Sequence, residues 1–176
     1  MNSEELKKAI RNVPNFPIEG IQFKDITTAF DKPECLRYMR DEISKMYKDK
    51  GITKVVGLES RGFILGGAIA AELGAGFVLV RKPGKLPAET VKVSIVKEYG
   101  RDMIEMHKDS LCQDDVVLIH DDLLATGGSM AGAIELVRKF GVKKIYVNFI
   151  VELDGLEGRK VLKDVEVTSL VHYPDK

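Results

Sequence analysis

Two adjacent carboxylates, Asp121 and Asp122, precede a short run of small residues whose chemistry suits an anion. The glycines of this run have no Cβ, so the backbone can turn tightly and approach an anion, while its hydroxyls can donate hydrogen bonds. The carboxylates would repel a bare phosphate, but they can accept hydrogen bonds from a sugar diol or hold Mg²⁺, directly or through water. A diol at one end and a phosphate at the other describe a ribose 5-phosphate. The small-residue run consists of Ala125, Thr126, Gly127, Gly128 and Ser129.

The flanking pattern predicts how this segment is held. The apolar run 116–119 is short and β-branched, which is typical of a buried strand in a parallel sheet. After Ser129, apolar residues recur at helical spacing, and Gly141 stands where a C-terminal cap would. The loop therefore meets a helix N-terminus, where free N–H groups and the helix dipole favour a phosphate.

A second strand–loop–helix unit comes earlier in the chain. The apolar residues 55–58 predict a buried strand and residues 63–73 predict a helix, with Glu59, Ser60 and Arg61 in the loop between them. Ligands of parallel sheets bind at the carboxyl ends of the strands. A second anion site is therefore expected at the same edge of the sheet, with Arg61 as its fixed positive charge.

A third predicted strand, 77–80, ends at a Pro-Gly turn that carries Arg81, Lys82 and Lys85. Three cations on a tight turn usually mark a solvated loop. Because this turn follows a central strand beside two candidate anion sites, we expect its cations to meet phosphate groups.

Short motifs of this kind have other interpretations. The Asp-Asp pair could cap a helix, and Thr-Gly-Gly-Ser could be an ordinary loop. The segment is not a nucleotide P-loop, because no Gly-Lys-Ser/Thr follows the glycines, and it lacks the GxGxxG pattern of dinucleotide-binding folds.

The composition favours a compact enzyme. The 176 residues are expected to form a single domain, 1–176, and Lys+Arg and Asp+Glu both number 27. This balance gives no basic field, so no nucleic-acid or membrane partner is expected. The two cysteines have no metal-type spacing, and neither a signal peptide nor an apolar span of about 20 residues is visible. A cytoplasmic location is predicted.

Strands that alternate with helices predict an α/β fold with a mainly parallel, twisted sheet flanked by helices. Residues 1 to about 30 are predicted to form a helix from Ser3 to about position 11 and then an extended arm. A capping box at residues 31–34 predicts a helix to about position 50, with Leu36, Met39, Ile43 and Met46 on its buried face. Residues 90–106 alternate in part and predict a β-hairpin.

The Asp121–Ser129 segment resembles the phosphoribosyl pyrophosphate (PRPP) motif of type I phosphoribosyltransferases. Residues 57–63, 80–87 and 98–100 resemble the corresponding stretches of the adenine phosphoribosyltransferases, in the same order and at similar spacing along nearly the whole chain. The resemblance implies the type I phosphoribosyltransferase fold, a mobile hairpin over the site, and transfer of 5-phosphoribosyl from PRPP to adenine. It also implies Mg²⁺ as cofactor and a homodimer.

The resemblance also assigns the site residues. The ribose and 5-phosphate are expected on Asp121, Asp122 and residues 125–129, and Mg²⁺ on the substrate pyrophosphate, with the two aspartates as ligands through water. Pyrophosphate is expected to meet Glu59, Ser60, Arg61, Arg81, Lys82, Lys85 and Tyr99. Adenine is expected to meet Gln22, Phe23, Lys24 and Leu153, with the Phe23 ring stacked on the base and Lys24 where the family usually has an arginine.

Two residues are expected to be catalytic by the same resemblance. Glu98 would assist proton transfer while the ring nitrogen of adenine attacks C1 of the ribose. Arg61 would neutralise the departing pyrophosphate, helped by the basic turn, and the closed hairpin would exclude water.

Two alternatives remain open from the sequence. The base could be xanthine, hypoxanthine or orotate, since Gln22 and Lys24 weaken the adenine assignment. The chain could instead be a regulator that senses PRPP without turning it over. Such regulators usually carry a DNA-binding segment, and the neutral charge gives no footprint for a duplex.

Overall fold

The computed structural model describes residues 1–97 and 100–174, with Lys97 described by its backbone alone. Two 3₁₀ turns, Asp154–Leu156 and Gly158–Val161, lie between the last two strands of the chain. In chain order the elements are α1 (Ser3–Ala9), β1 (Arg11–Pro14), β2 (Gln22–Asp25), α2 (Thr27–Phe30), α3 (Pro33–Tyr47), β3 (Lys54–Leu58), α4 (Arg61–Leu73), β4 (Gly76–Val80), β5 (Thr90–Lys97), β6 (Gly100–His107), β7 (Val116–Leu124), α5 (Gly128–Arg138), β8 (Lys144–Leu153) and β9 (Glu166–Tyr173).

A five-stranded parallel sheet forms the centre of the fold, in the order β4-β3-β7-β8-β9. Alternate residues of its strands point to opposite faces. Val55 and Leu118 pack against α1, α3 and α4, whereas Val56 and Ile119 pack against α5 and the β5–β6 pair. The predicted α/β fold with a parallel sheet between helices is confirmed. Of the helices described, none is long and apolar enough to span a membrane.

The N-terminal segment differs from its prediction. Helix α1 ends at Ala9 because residues 11–14 form β1, which pairs antiparallel with β2. It starts at Ser3 as predicted, and its N-cap is Asn2: the Asn2 side chain accepts the N–H of Glu5, and the Glu5 carboxylate accepts the N–H of Asn2.

Helix α3 begins without the predicted capping box. Its N-cap, Lys32, makes no side-chain cap hydrogen bond, and Pro33 opens the first turn. Met39 and Ile43 are buried as predicted and Leu36 is partly buried, but Met46 is exposed and Tyr47 is buried instead. The buried face follows the i+4 spacing that ends at Tyr47, whose hydroxyl has hydrogen-bond partners in the sheet.

Strands β5 and β6 pair antiparallel from Thr90 opposite His107 to Lys97 opposite Gly100. They cover the face of the sheet on which α5 lies. Glu98 and Tyr99 lie outside the described residues, and the closing motion of this segment stays a prediction.

A chain of buried polar side chains crosses the sheet. The Tyr47 hydroxyl can donate to the carbonyl of Val147 at 3.3 Å, so it accepts from Thr168, 2.6 Å away. The Asn148 amide donates to Thr168 and its oxygen therefore accepts from Nδ1–H of His120, both at 2.9 Å. This order of donors leaves Nε2 of His120 buried without a partner among the described residues. Only one of the two ring nitrogens of His120 therefore has a hydrogen-bond partner in the described part of the chain.

We predict that His120 makes stability fall in mild acid. Burial lowers the pKa of His120 to about 4, although Asn148 and Asp122 oppose the shift. The unfolded chain therefore binds this proton near pH 6.5 and the folded chain does not, so stability falls as the pH drops from about 6.5 toward 4. Between pH 7.5 and pH 5, the free energy of unfolding measured with urea should fall by about 2 kcal/mol more in wild type than in His120→Leu. Equal losses in both proteins would contradict the prediction.

Candidate active site

Two loops converge on one edge of the sheet because β3 and β7 are parallel neighbours. Helix α4 starts three residues after β3 ends and α5 starts four residues after β7 ends, so both N-termini face the same edge. A cavity of about 520 Å³ opens there. It is lined by Glu59, Ser60, Arg61, Arg81, Lys82, Lys85, Asp121 and Asp122, all of which the sequence predicted as site residues.

The sequence suggested that the two aspartates follow a strand, but in the structure they lie inside it. Strand β7 continues to Leu124 because its pairing with β8 extends to that residue. Asp122 is buried and Asp121 is partly buried. Oδ1 of Asp121 accepts the N–H of Asp122 at 2.9 Å. The strand thus presents two carboxylates at the cavity with little freedom to move.

Arg61 joins the two loops through an ion pair. Its Nε donates to Oδ2 of Asp122 at 2.5 Å. The pair can form because Gly62 lets α4 start directly against β7: a Cβ on Gly62 would lie 3.0 Å from Oδ1 of Asp121 and 3.0 Å from the carbonyl oxygen of His120. Burial alone would lower the pKa of Arg61, but the charge and hydrogen bond of Asp122 outweigh it and raise the pKa, so the guanidinium stays charged.

Asp121 has the most perturbed carboxyl group of the cavity. Burial raises its pKa well above the usual value, and the neighbouring charge of Asp122 raises it further. No ion pair to Asp121 is found in the part of the chain that the structure describes. A cation that enters the cavity would favour the ionised form, so Asp121 is suited to approach Mg²⁺ through water.

The small-residue loop forms a second cavity of about 110 Å³ that meets the first at Asp121. Gly127 is the N-cap of α5, at φ 85°, and makes no side-chain cap hydrogen bond, so the first N–H groups of the helix remain available to an anion. A Cβ on Gly127 would lie 2.7 Å from the carbonyl oxygen of Gly158. Only glycine fits against the start of the second 3₁₀ turn, Gly158–Val161. This cavity is lined in part by the predicted phosphate loop, Ala125, Thr126, Gly127, Gly128 and Ser129.

Glu59, which follows β3, holds the start of the basic turn by two contacts. Arg81 Nε donates to Oε1 of Glu59 at 2.9 Å, and the backbone N–H of Lys82 approaches the other Glu59 oxygen at 3.4 Å. Lys82 and Lys85 line the cavity from exposed positions. Since a carboxylate repels pyrophosphate, this geometry favours a role for Glu59 in orienting Arg81 over direct contact with the anion.

Phe23 lies beside the arginine of the ion pair. The guanidinium carbon of Arg61 is 6.0 Å from the centre of the Phe23 ring. Phe16 packs edge-on against the same ring, with the centroids 5.1 Å apart at 72°. Sequence alone did not indicate Phe16, because Pro14 and Pro17 around it suggested only an extended arm.

The side chains of Gln22 and Lys24 form hydrogen bonds with Asn12 on β1. Asn12 donates to Gln22 at 2.7 Å and accepts from Lys24 at 2.9 Å. Alternate residues of a strand point to opposite sides, so Gln22 and Lys24 face away from Phe23, and a base stacked on Phe23 would meet only their backbone. Leu153, the last residue of β8, is almost fully buried. Glu98 and Tyr99 lie outside the described residues.

Comparison with known proteins gives a consistent result. The Phosphoribosyl transferase domain family matches residues 27–174. The adenine phosphoribosyltransferase of Phocaeicola vulgatus is 60% identical over 172 residues, which are 97% of this chain and 99% of that protein. The adenine phosphoribosyltransferase of Bacteroides thetaiotaomicron is 58% identical over 172 residues, 97% of this chain and 98% of that protein.

Solved structures agree in fold over almost the whole chain. The crystal structure of the Giardia lamblia APRTase with 9-deazaadenine matches with a TM-score of 0.93 at 45% identity, and covers 98% of both chains. The Saccharomyces cerevisiae adenine phosphoribosyltransferase, crystallised with adenine and an imino-altritol bisphosphate, matches with a TM-score of 0.90 at 42% identity. That match covers 96% of this chain and 98% of the yeast chain.

We predict that Arg61 and Asp122 stabilise each other. Arg61→Gln leaves the buried Asp122 carboxylate without its cation, and Asp122→Asn leaves the guanidinium without its anion. A double-mutant cycle from urea unfolding at pH 7 should give a coupling free energy of about 1–2 kcal/mol, limited by the partial exposure of Arg61. Additivity of the two single effects within about 0.3 kcal/mol would show that the pair does not contribute.

Proposed function

Because the chain belongs to the adenine phosphoribosyltransferase family, we propose that it transfers the 5-phosphoribosyl group of PRPP to adenine and produces AMP and pyrophosphate. This is a pentosyl transfer, and it serves purine salvage. Relatives of 58% and 60% identity bear this activity in their names, and two similar structures hold adenine or 9-deazaadenine.

The position of Arg61 is the observation that carries this proposal. Its guanidinium contacts Asp122, a candidate ribose ligand, and lies next to Phe23, the candidate platform for the base. It also lines the cavity that holds the basic turn. Ribose, pyrophosphate and base would therefore meet beside Arg61. In PRPP that meeting point is C1, the atom at which one bond breaks and another forms.

The loops would bind the two phosphate ends of PRPP. The small-residue loop at the N-terminus of α5 suits the 5-phosphate, and Ser60 and Arg61 at the N-terminus of α4 suit the pyrophosphate, together with Arg81, Lys82 and Lys85. Positive charge on these groups stabilises the departing pyrophosphate. It also holds PRPP across the edge of the sheet, with C1 exposed to the base.

The two aspartates would act on the ribose. They accept hydrogen bonds from its hydroxyls, and their negative charge stabilises the oxocarbenium-like character that develops as pyrophosphate departs. Mg²⁺ would be held by the pyrophosphate oxygens, with Asp121 and Asp122 reached through water, and would supply further neutralisation of the leaving group. The carboxylate of Asp121, which forms no ion pair in the described regions, fits this arrangement.

The base would stack on Phe23, and backbone groups near Gln22 would read its edge. We keep Leu153 as a second wall and Glu98 as the group that assists proton transfer. Closure of the β5–β6 segment would exclude water from C1.

We further propose that the chain forms a homodimer. Ile64 on α4 and Leu79 on the edge strand β4 are 51% and 37% exposed, and Leu79 lies two residues before Arg81, where the basic turn begins. A second subunit on this face would cover them and bring its own basic turn close to the site. A cytoplasmic location remains a prediction.

The activity is tested by pyrophosphate release from PRPP and Mg²⁺ with adenine, hypoxanthine, guanine, xanthine or orotate supplied separately. We expect release with adenine alone and AMP as the second product. Release with another base would overturn the adenine assignment. Tight PRPP binding without release for any base would instead favour a regulator.

Phe23→Ala and Phe140→Ala test the base site in the same assay. Loss of stacking should raise KM for adenine about tenfold in Phe23→Ala, with KM for PRPP changed less than about twofold. Phe140 lies beyond the far end of α5, so its replacement should change neither value. Equal effects of the two variants would remove Phe23 from the base site.

A further inference from the structure

A buried carboxylate outside the cavity holds the basic turn in place. Glu105, in β6, is only 4% exposed. Its Oε1 accepts the backbone N–H of Gly84, within the turn, at 3.2 Å, and its Oε2 accepts the Thr90 hydroxyl at 3.1 Å. In the regions that the structure describes, no Lys, Arg or His lies within ion-pair distance of it.

The backbone of Glu105 holds the same turn from its first residue. The Arg81 N–H donates to the Glu105 carbonyl at 2.9 Å, and the Glu105 N–H donates to the Arg81 carbonyl at 2.8 Å. Because Glu59 holds the Arg81 guanidinium from the end of β3, the turn is fixed at both its backbone and its side chain. Its conformation is therefore specified by β3 and β6 together.

A carboxylate is a destabilising choice for the buried position of Glu105. A buried charge with two neutral donors costs more than an apolar side chain of the same size, unless its hydrogen bonds are needed. The bond to Gly84 holds the turn between Lys82 and Lys85, both of which line the cavity. The two hydrogen bonds together also tie the turn to Thr90 at the start of β5, the strand that leads toward Glu98.

We propose that Glu105 is a positioning residue for pyrophosphate: it fixes the basic turn, residues 81–85, and joins it to the β5–β6 segment. This inference rests on the proposed function, since it assumes that the turn binds the pyrophosphate of PRPP. Glu105 itself does not line the 520 Å³ cavity. It acts through Gly84 and Thr90.

Asp115 provides a matched control. It is also a buried carboxylate, 6% exposed, and it also accepts one hydroxyl and one backbone N–H, from Thr53 at 2.7 Å and from Cys112 at 2.8 Å. It precedes β7, at the opposite edge of the sheet from the site. Replacement of either residue by an apolar one of similar size removes the same kinds of bond.

The experiment measures dissociation constants for magnesium pyrophosphate and, separately, for AMP, in wild type, Glu105→Met, Glu105→Gln and Asp115→Leu. Two orphaned donors should weaken pyrophosphate binding about tenfold or more in Glu105→Met, with AMP binding changed less than about twofold. Glutamine can accept from Gly84 and donate to Thr90, so Glu105→Gln should restore binding to within about threefold of wild type. Asp115→Leu should lower stability and leave both constants unchanged.

The outcomes separate the two proposals. Wild type that binds neither ligand would overturn the proposed function. Wild type that binds both, with Glu105→Met equal to wild type or equally weakened for both ligands, would overturn the positioning role alone. Should Glu105→Met fail to fold, Thr90→Val removes one donor with little change of shape and should weaken pyrophosphate binding selectively by about threefold. Unchanged binding in that variant would contradict the proposal.

Discussion

The parallel pairing of β3 with β7 is the constraint on which the site depends. Gly57 lies opposite His120 in this pairing, so the end of β3 and the loop that follows it lie beside Asp121 and Asp122 of β7. The helices that follow then start at the same edge, and their N-termini face one space. Arg61 can reach Asp122 only in this register, since a shift of β7 by one residue would turn the Asp122 side chain to the other face of the sheet. The ion pair is thus a product of strand order more than of loop sequence.

The same constraint concentrates charge at a cost in stability. Two consecutive aspartates lie near the end of a buried strand, where burial raises the pKa of Asp121 well above its usual value and the charge of Asp122 raises it further. Arg61 compensates one of them, and an incoming cation would compensate the other. The glycines at positions 62 and 127 make the arrangement possible, because a side chain at either would collide with the neighbouring backbone. Stability and ligand binding therefore compete for the same few groups.

Sequence predicted most of the cavity because its residues follow strands whose apolar runs are easily recognised. It failed where tertiary contacts decide. Pairing with β8 extends β7 through the two aspartates. In α3 the buried residues recur at i+4 spacing, so Tyr47 is buried in place of Met46. The burial of Glu105 could not be predicted from the sequence, because a charged residue in an alternating strand normally indicates a solvent-facing position. The hydrogen bond from Lys24 to Asn12 depends on β1, a strand that was not predicted because the prolines in this segment indicated only an extended arm.

The central claim is that two neighbouring helix N-termini bind the two phosphate ends of one substrate. Titration of magnesium pyrophosphate and AMP into wild type, Arg61→Gln and Ser129→Ala tests it most directly. Arg61→Gln should weaken pyrophosphate binding about tenfold and AMP binding by less than about threefold, and Ser129→Ala should do the reverse. If both variants weakened the same ligand, or if neither changed either constant, the two loops would not divide the substrate between them.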